Sequence, residues 1–239
     1  MPIQRVGDID LYYEFHGTGD AVVLIGGLGN DITESQRLIT WLARTHRVLA
    51  FDNRGAGRTD KPDIPYSIEM MAADTAGLMK ALDICGATVL GISMGGKIAM
   101  ELTLEHPELV TRLILVSTSA AARPDNGPTR MEMLSFLARF VFRGKHPQPA
   151  YAQGRQRQAS HAYDCTDRLD EIQAPATIMH GRNDRIVPLR RAEELRHGIA
   201  HSQLVTFRGG HLFFMRKERT WFLDSVDTAL TFGDPVKSA

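Results

Sequence analysis

One serine in the sequence stands where its hydroxyl could act as a nucleophile. Ser93 is at the centre of Gly91-Ile92-Ser93-Met94-Gly95, a G-x-S-x-G pattern. An apolar run over residues 87–92 precedes it and an apolar-periodic segment follows it, so the pattern predicts a strand, a tight turn and a helix. The flanking glycines let two backbone segments approach closely. This setting favours a nucleophile aimed from a sharp turn over an incidental serine.

A serine hydroxyl is a weak nucleophile at neutral pH and needs a base that a third group orients. Among nine histidines, His211 is the best candidate for the base. It follows the last predicted strand in a short glycine turn, TFRGGHLFF, which places it in a loop at the edge where Ser93 is expected. His180 ends a strand before GRNDRIVP and is predicted to be a structural residue beneath that loop.

The orienting acid is expected between the serine and the histidine in chain order. Asp184 fits because it follows a buried strand and precedes Pro188, which is predicted to start the next helix. Asp164, Asp167 and Asp170 also lie in this interval, but they belong to an insertion or a helix and are interpreted as surface charges. Asp184 is therefore the predicted third member.

Two backbone N–H groups are expected to bind the oxyanion that forms during acyl transfer. One is the amide of Met94, the residue after the nucleophile. The other is expected from the glycine loop at residues 26–30, where Leu28 is the better candidate. A dinucleotide-binding loop is the alternative for this segment, but the glycine that G-x-G-x-x-G needs at position 32 is an isoleucine.

The elements that must position these residues follow from the apolar runs. Several runs are continuously apolar, as in parallel strands that are buried on both faces. The predicted strands are Asp10–Phe15, Ala21–Ile25, Arg47–Phe51, Ala87–Ile92, Arg112–Ser117, Ala176–His180 and Gln203–Phe207, with helices over 67–83 and 188–197 and near Asp167–Ile172.

Alternating strands and helices predict an α/β fold with a mostly parallel sheet of about eight strands and helices on both faces. The first two predicted strands are too close for a helix between them, so they are expected to pair as an antiparallel hairpin at one edge. Residues 121–165 contain no predicted strand and are interpreted as a short helical lid, with one helix in MEMLSFLARFVF and another in YAQGRQRQASHAYD. The 239 residues are expected to form a single domain with this insertion.

The composition restricts the partners that can be expected. Lys plus Arg and Asp plus Glu both number 28, so the formal net charge is zero, and neither nucleic acid nor an anionic membrane is an expected partner. No apolar stretch is long enough for a membrane span, and the N-terminal residues lack the apolar core of a signal peptide.

Cys85 and Cys165 are interpreted as free thiols in a reducing cytoplasm. No metal-ligand cluster is seen, so no metal or cofactor is expected, and the protein is expected to be a monomer or a homodimer.

Four motifs in order, LIGGLGND, FDNRGAGRTDKP, LGISMGGKIA and HGRNDRIVP…GGH, make the chain resemble the α/β-hydrolase fold serine hydrolases. The related group contains carboxylesterases, enol-lactonases and carbon–carbon bond hydrolases. The resemblance implies a Ser93–His211–Asp184 triad, an oxyanion hole from Leu28 and Met94, and a structural role for the turn at Asp52–Arg54. Two departures are a glycine pair, Gly26-Gly27, where many relatives have His-Gly, and a lid shorter than is usual.

The expected function is hydrolysis of small carboxylic esters or lactones through an acyl-enzyme, without a cofactor. Hydrolysis of β-diketone carbon–carbon bonds, as in meta-cleavage products, is the first alternative because it uses the same motifs, and a perhydrolase or cofactor-free haloperoxidase activity would use them too. A non-catalytic ligand-binding member of the fold would need an enclosing pocket, for which the lid is too short.

Overall fold

The sheet of the protein has eight strands and is mostly parallel. The computed structural model describes residues 2–122, 145–215 and 219–233. The spatial order of the strands is β1-β2-β4-β3-β5-β6-β7-β8. They are β1 (Ile3–Val6), β2 (Ile9–His16), β3 (Ala21–Ile25), β4 (Arg47–Phe51), β5 (Ala87–Ile92), β6 (Val110–Val116), β7 (Ala176–Gly181) and β8 (Ser202–Phe207). The α/β fold with a mostly parallel sheet of about eight strands is thus confirmed.

The antiparallel edge of the sheet differs from the sequence prediction. The hairpin expected between the strands at 10–15 and 21–25 is wrong, because β2 pairs with β1 on one side and with β4 on the other, both antiparallel. Strand β4 lies between β2 and β3 and runs parallel to β3. Gly17 adopts φ +74° in the connection, where a Cβ would come within 2.3 Å of the His46 carbonyl oxygen. The β2–β3 connection therefore packs closely against the segment that leads into β4, and the β1–β2 hairpin forms the edge.

Six α-helices connect or flank the strands among the described residues. They are α1 (Gln36–Leu42), α2 (Ile68–Ala81), α3 (Met94–Glu105), α4 (Ala150–Ala162), α5 (Leu189–Gly198) and α6 (Arg219–Ala229). Short 3-10 helices lie at Ile32–Ser35, Pro107–Leu109, Thr166–Glu171 and Phe213–Met215. The helix expected near Asp167–Ile172 is thus a 3-10 helix, and α5 begins one residue after Pro188.

Two apolar layers cover the sheet. Alternate residues of the central strands face opposite sides, so Val23 and Val89 lie in one layer while Val22 and Leu90 lie in the other. Helices α2, α3 and α5 pack on the first face, and α1 and α6 pack on the second. Burial on both faces explains the continuously apolar strands. The parallel direction of β3 and β5 to β8 brings their carboxyl ends to one edge of the sheet.

The predicted lid lies between β6 and the 3-10 helix at Thr166–Glu171. Its second predicted helix is α4, and a bridge between Ala121 and Asp164 joins the two ends of the insertion. The first predicted lid helix, in MEMLSFLARFVF, falls outside the described residues. Within the described part of the chain, every helix is too short or too polar to cross a bilayer.

Candidate active site

Ser93 lies at a sharp turn between β5 and α3, as the sequence predicts. Its backbone has φ +55° and ψ −117°, a conformation that side-chain-bearing residues adopt at a cost. The turn requires the flanking glycines, because a Cβ on Gly95 would lie 2.2 Å from the Ile25 carbonyl oxygen. A Cβ on Gly91 would lie 2.4 Å from the Gly95 carbonyl oxygen. The backbones of β3, β5 and α3 thus approach too closely for side chains at these two positions, and the turn places Ser93 directly after the carboxyl end of β5.

The structure brings Ser93, His211 and Asp184 into one hydrogen-bonded row. His211 Nε2 lies 3.1 Å from Ser93 Oγ, and His211 Nδ1 lies 2.7 Å from Asp184 Oδ2. The Asp184 side chain is fully buried and the His211 side chain is 14% exposed, so the carboxylate is shielded while the imidazole edge stays accessible. A proton can therefore pass from the serine hydroxyl to an imidazole that a buried carboxylate orients.

His180 lies beneath the loop that carries Asp184, where the sequence predicts it. The ring is fully buried, and its Nε2 lies 2.8 Å from the Val187 carbonyl oxygen. Burial lowers the pKa of His180, which favours the neutral ring. A neutral ring with a proton on Nε2 donates to Val187, so His180 supports the loop.

The glycine loop that follows β3 runs directly beside the serine. A side chain on Gly27 would begin 3.5 Å from Ser93 Cβ and 3.3 Å from the Ile92 carbonyl oxygen. The Asn30 N–H donates to the Gly27 carbonyl at 3.1 Å and closes a turn that contains Leu28. Met94 is the first residue of α3, and the N–H groups of a first helical turn have no partner within the helix. The structure thus places both predicted oxyanion donors on segments that border Ser93.

The turn after β4 braces the surrounding loops. The buried Asp52 carboxylate accepts the backbone N–H groups of Ile32 and Arg58, each at 2.8 Å. The buried Arg54 guanidinium contacts the carboxylate of Asp74 at 2.7 Å. These contacts are made within the scaffold, in keeping with the structural role that the resemblance implies for the turn.

Three residues that contact the site are not predicted from the sequence. Ser117, just after β6, donates its hydroxyl to the His211 carbonyl at 2.9 Å, and Thr118 donates to the Ser93 carbonyl at 2.7 Å. A run of hydroxyl residues after a buried strand, VSTSA, was the available signal for both. The third is Gln156 of α4, whose Oε1 accepts the Gly29 N–H at 2.9 Å. One glutamine in a polar helix carries no such signal.

Comparison with known proteins places the chain among hydrolases. The sequence profile of a family described as "alpha/beta hydrolase fold" matches residues 20–150. A putative carbamate hydrolase RutD of Azorhizobium caulinodans is 28% identical, over 89% of this chain and 92% of the relative. The crystal structure of the enol-lactonase from Burkholderia xenovorans LB400 has a TM-score of 0.83 at 24% identity, over 96% of this chain and all of that one (100%). An esterase (EaEST) from Exiguobacterium antarcticum has a TM-score of 0.79 at 26% identity, over 96% and 98%.

Proposed function

The chain belongs to the alpha/beta hydrolase fold family, and we propose that it is a serine hydrolase of small carboxylic esters or lactones. One observation carries the proposal: the row from Ser93 Oγ to His211 Nε2 at 3.1 Å and from His211 Nδ1 to Asp184 Oδ2 at 2.7 Å. A nucleophile, a base and an orienting acid in contact are the requirements of acyl transfer through serine.

In the proposed acylation step, His211 Nε2 removes the proton of Ser93 as Oγ attacks the acyl carbon. The carbonyl oxygen becomes an oxyanion, which the backbone N–H groups of Leu28 and Met94 bind. The imidazolium then returns the proton to the departing alkoxide, and the alcohol leaves. Asp184 stays ionised throughout and stabilises the imidazolium.

In the proposed deacylation step, water takes the place of the alcohol. His211 removes a proton from water as the water oxygen attacks the acyl-serine, and the same two N–H groups bind the second oxyanion. Collapse of this intermediate releases the carboxylic acid, and the proton on His211 returns to Ser93 Oγ. With a lactone substrate, the acid and alcohol are released as one hydroxy acid.

The proposal is tested with the Ser93→Ala variant. Turnover of p-nitrophenyl esters should fall to the background left by binding alone, while the melting temperature changes little because Oγ is not packed in the core. The wild type, and not the variant, should gain the mass of a serine-directed fluorophosphonate. Ser225→Ala, on the outer helix α6, is the matched control and should keep both activity and labelling. Half of the activity remaining in Ser93→Ala would end the proposal.

The substrate class is tested separately on the wild type. We expect turnover of p-nitrophenyl esters and lactones, with the acid and alcohol identified as products. One meta-cleavage product and one peracid-forming assay with hydrogen peroxide complete the panel, because these reactions would use the same residues. A preference for either over every ester and lactone would reassign the substrate while leaving the roles of Ser93, His211 and Asp184 unchanged.

A further inference from the structure

Gln156 of the lid helix α4 is a buried amide that joins the lid to the active-site loops. Its side chain is fully buried, and a buried amide is costly unless its polar atoms are hydrogen-bonded. Oε1 accepts the backbone N–H of Gly29 at 2.9 Å, and Nε2 donates to the backbone carbonyl of Arg54 at 2.7 Å. One side chain of the lid thus uses its acceptor and its donor on two different loops of the core.

A second lid glutamine supports the same bridge. Gln148, in the segment that leads into α4, donates through Nε2 to the Gly55 carbonyl at 2.6 Å and lies 3.3 Å from Gln156 Oε1. The amide group of Gln156 is therefore held from two sides. Because the Gln156 side chain is buried, its position relative to Gly29 is fixed by the surrounding packing, unlike that of a flexible glutamine on the surface.

The contact with Gly29 falls next to a predicted oxyanion donor. Gly29 has φ +72°, and its N–H belongs to the peptide group that immediately follows Leu28. Fixing the Leu28–Gly29 peptide group restricts the rotation of the Gly27–Leu28 peptide group, which carries the Leu28 N–H. Further contacts hold the loop: Asn53 Nδ2 donates to the Gly26 carbonyl at 3.0 Å, the Asn30 N–H closes the turn on Gly27, and Asn30 Nδ2 donates to Glu34. The lid contact is made at the peptide group directly after Leu28.

We propose that Gln156 is a positioning residue that holds the Leu28 N–H toward the oxyanion, so that the oxyanion hole is complete only when α4 is seated on the core. The inference rests on the proposed serine hydrolase function. The lid then has a role in catalysis besides shaping the substrate site, because it supplies the acceptor that orders the loop. A donor displaced by about 1 Å loses much of its effect on the transition state, on the order of 10- to 100-fold in rate.

The first test is Gln156→Met, which keeps the length of the side chain and removes its hydrogen bonds to Gly29, Arg54 and Gln148. We expect kcat for a p-nitrophenyl ester to fall about 10- to 100-fold, with KM within about 2-fold of the wild type. The bound ester carries no oxyanion, so the loss affects the transition state and not substrate binding. The affinity for a trifluoromethyl ketone, which forms a tetrahedral adduct with serine, should fall by the same factor. Gln158→Met, on the exposed face of the same helix, should change none of these quantities.

The second test is Gln156→Glu, which does not depend on how well the methionine variant folds. An uncharged carboxyl can accept from Gly29 and donate to the Arg54 carbonyl as the amide does, whereas an ionised carboxylate faces that carbonyl oxygen without a proton. The ratio of variant to wild-type kcat should therefore be highest at the acid end of the assay range and fall as pH rises.

These outcomes separate the inference from the function on which it rests. A trifluoromethyl ketone and a fluorophosphonate that leave the wild type unmodified at Ser93 would remove the serine hydrolase proposal itself. A wild type that reacts with both, combined with an unchanged inhibitor affinity in Gln156→Met and a flat kcat ratio in Gln156→Glu, would overturn only the role of Gln156.

Discussion

Asp184 holds the His211 ring with one carboxylate oxygen and its own loop with the other. Oδ2 lies 2.7 Å from His211 Nδ1, while Oδ1 accepts the backbone N–H groups of Ile186 and Val187, each at 2.9 Å. The carboxylate cannot rotate without breaking these loop contacts. It therefore presents a fixed acceptor that selects the tautomer with a proton on Nδ1, which leaves Nε2 as the acceptor facing Ser93.

Asp184→Asn should lower kcat by roughly 10³- to 10⁴-fold with little loss of stability. The amide keeps an oxygen for the loop N–H groups but turns an NH₂ group toward His211, which favours the wrong tautomer. The control is Asp167→Asn, an exposed carboxylate in the 3-10 helix at Thr166–Glu171. Activity assays and thermal melts on both variants check the prediction, and an asparagine variant within 10-fold of the wild type would contradict it.

Gly95→Ala should destabilise the protein and remove activity. The added Cβ would lie 2.2 Å from the Ile25 carbonyl oxygen and 2.7 Å from that of Gly26, so β3 and the turn at Ser93 must move apart. We expect a loss of roughly 1–3 kcal/mol, as for other overpacked sites, in the free energy of unfolding measured with urea.

Gly154→Ala is the matched substitution in the lid helix α4, where a Cβ meets no atom within 4 Å. It should raise the stability by roughly 0.5–1 kcal/mol because alanine loses less backbone entropy in a helix. Equal effects of the two substitutions on the free energy of unfolding would show that the close approach at Gly95 is not the cause.

Arg54→Leu should cost about 3–5 kcal/mol of stability, because it leaves the buried Asp74 carboxylate without its partner. The Arg54 side chain is 2% exposed and that of Asp74 is 8% exposed. The matched control is Arg5→Leu, which breaks an ion pair with Asp10 whose two side chains are 59% and 48% exposed. That substitution should cost about 0–1 kcal/mol. Chemical denaturation of the two variants measures both losses in the free energy of unfolding. Equal losses would contradict a structural role for Arg54.

Lys97 should make the free energy of unfolding depend on pH in the alkaline range. It lies on α3 and donates from Nζ to the Ser160 carbonyl of α4 at 2.6 Å, and burial lowers its pKa from the ordinary 10.5 to about 8. Between these values the unfolded chain binds the proton more tightly than the folded protein does. The contribution of Lys97 to the free energy of unfolding therefore rises with pH across this window and is constant below it.

Comparison with Lys97→Met isolates this term. The free energy of unfolding of the wild type minus that of the variant should increase between pH 8 and pH 10.5, by at most about 1.4 kcal/mol per pH unit. Other alkaline titrations cancel in the difference because both proteins share them. A difference that stays flat over this range would contradict the lowered pKa.

The local sequence pattern around Ser93 is sufficient to predict its turn and the strand and helix that flank it. The strand, the glycines and the helix are contiguous, and the glycines are required by backbone contacts between those same elements. The positions of His211 and Asp184 were also predictable, because parallel strands bring their carboxyl ends to one edge and each residue follows such an end. The periodicity of the buried strands thus accounts for most of the fold and for the residues gathered at that edge.

Contacts between distant segments were decided by the tertiary structure alone. The insertion of β4 between β2 and β3 depends on how strands distant in the chain pair, which the short β2–β3 connection does not reveal. Gln156 and Gly29 are 127 positions apart, and nothing in a polar helix distinguishes the glutamine that faces the core from those that face water. Periodicity and turn residues record the local backbone, whereas a hydrogen bond between two loops depends on the packing of every element between them.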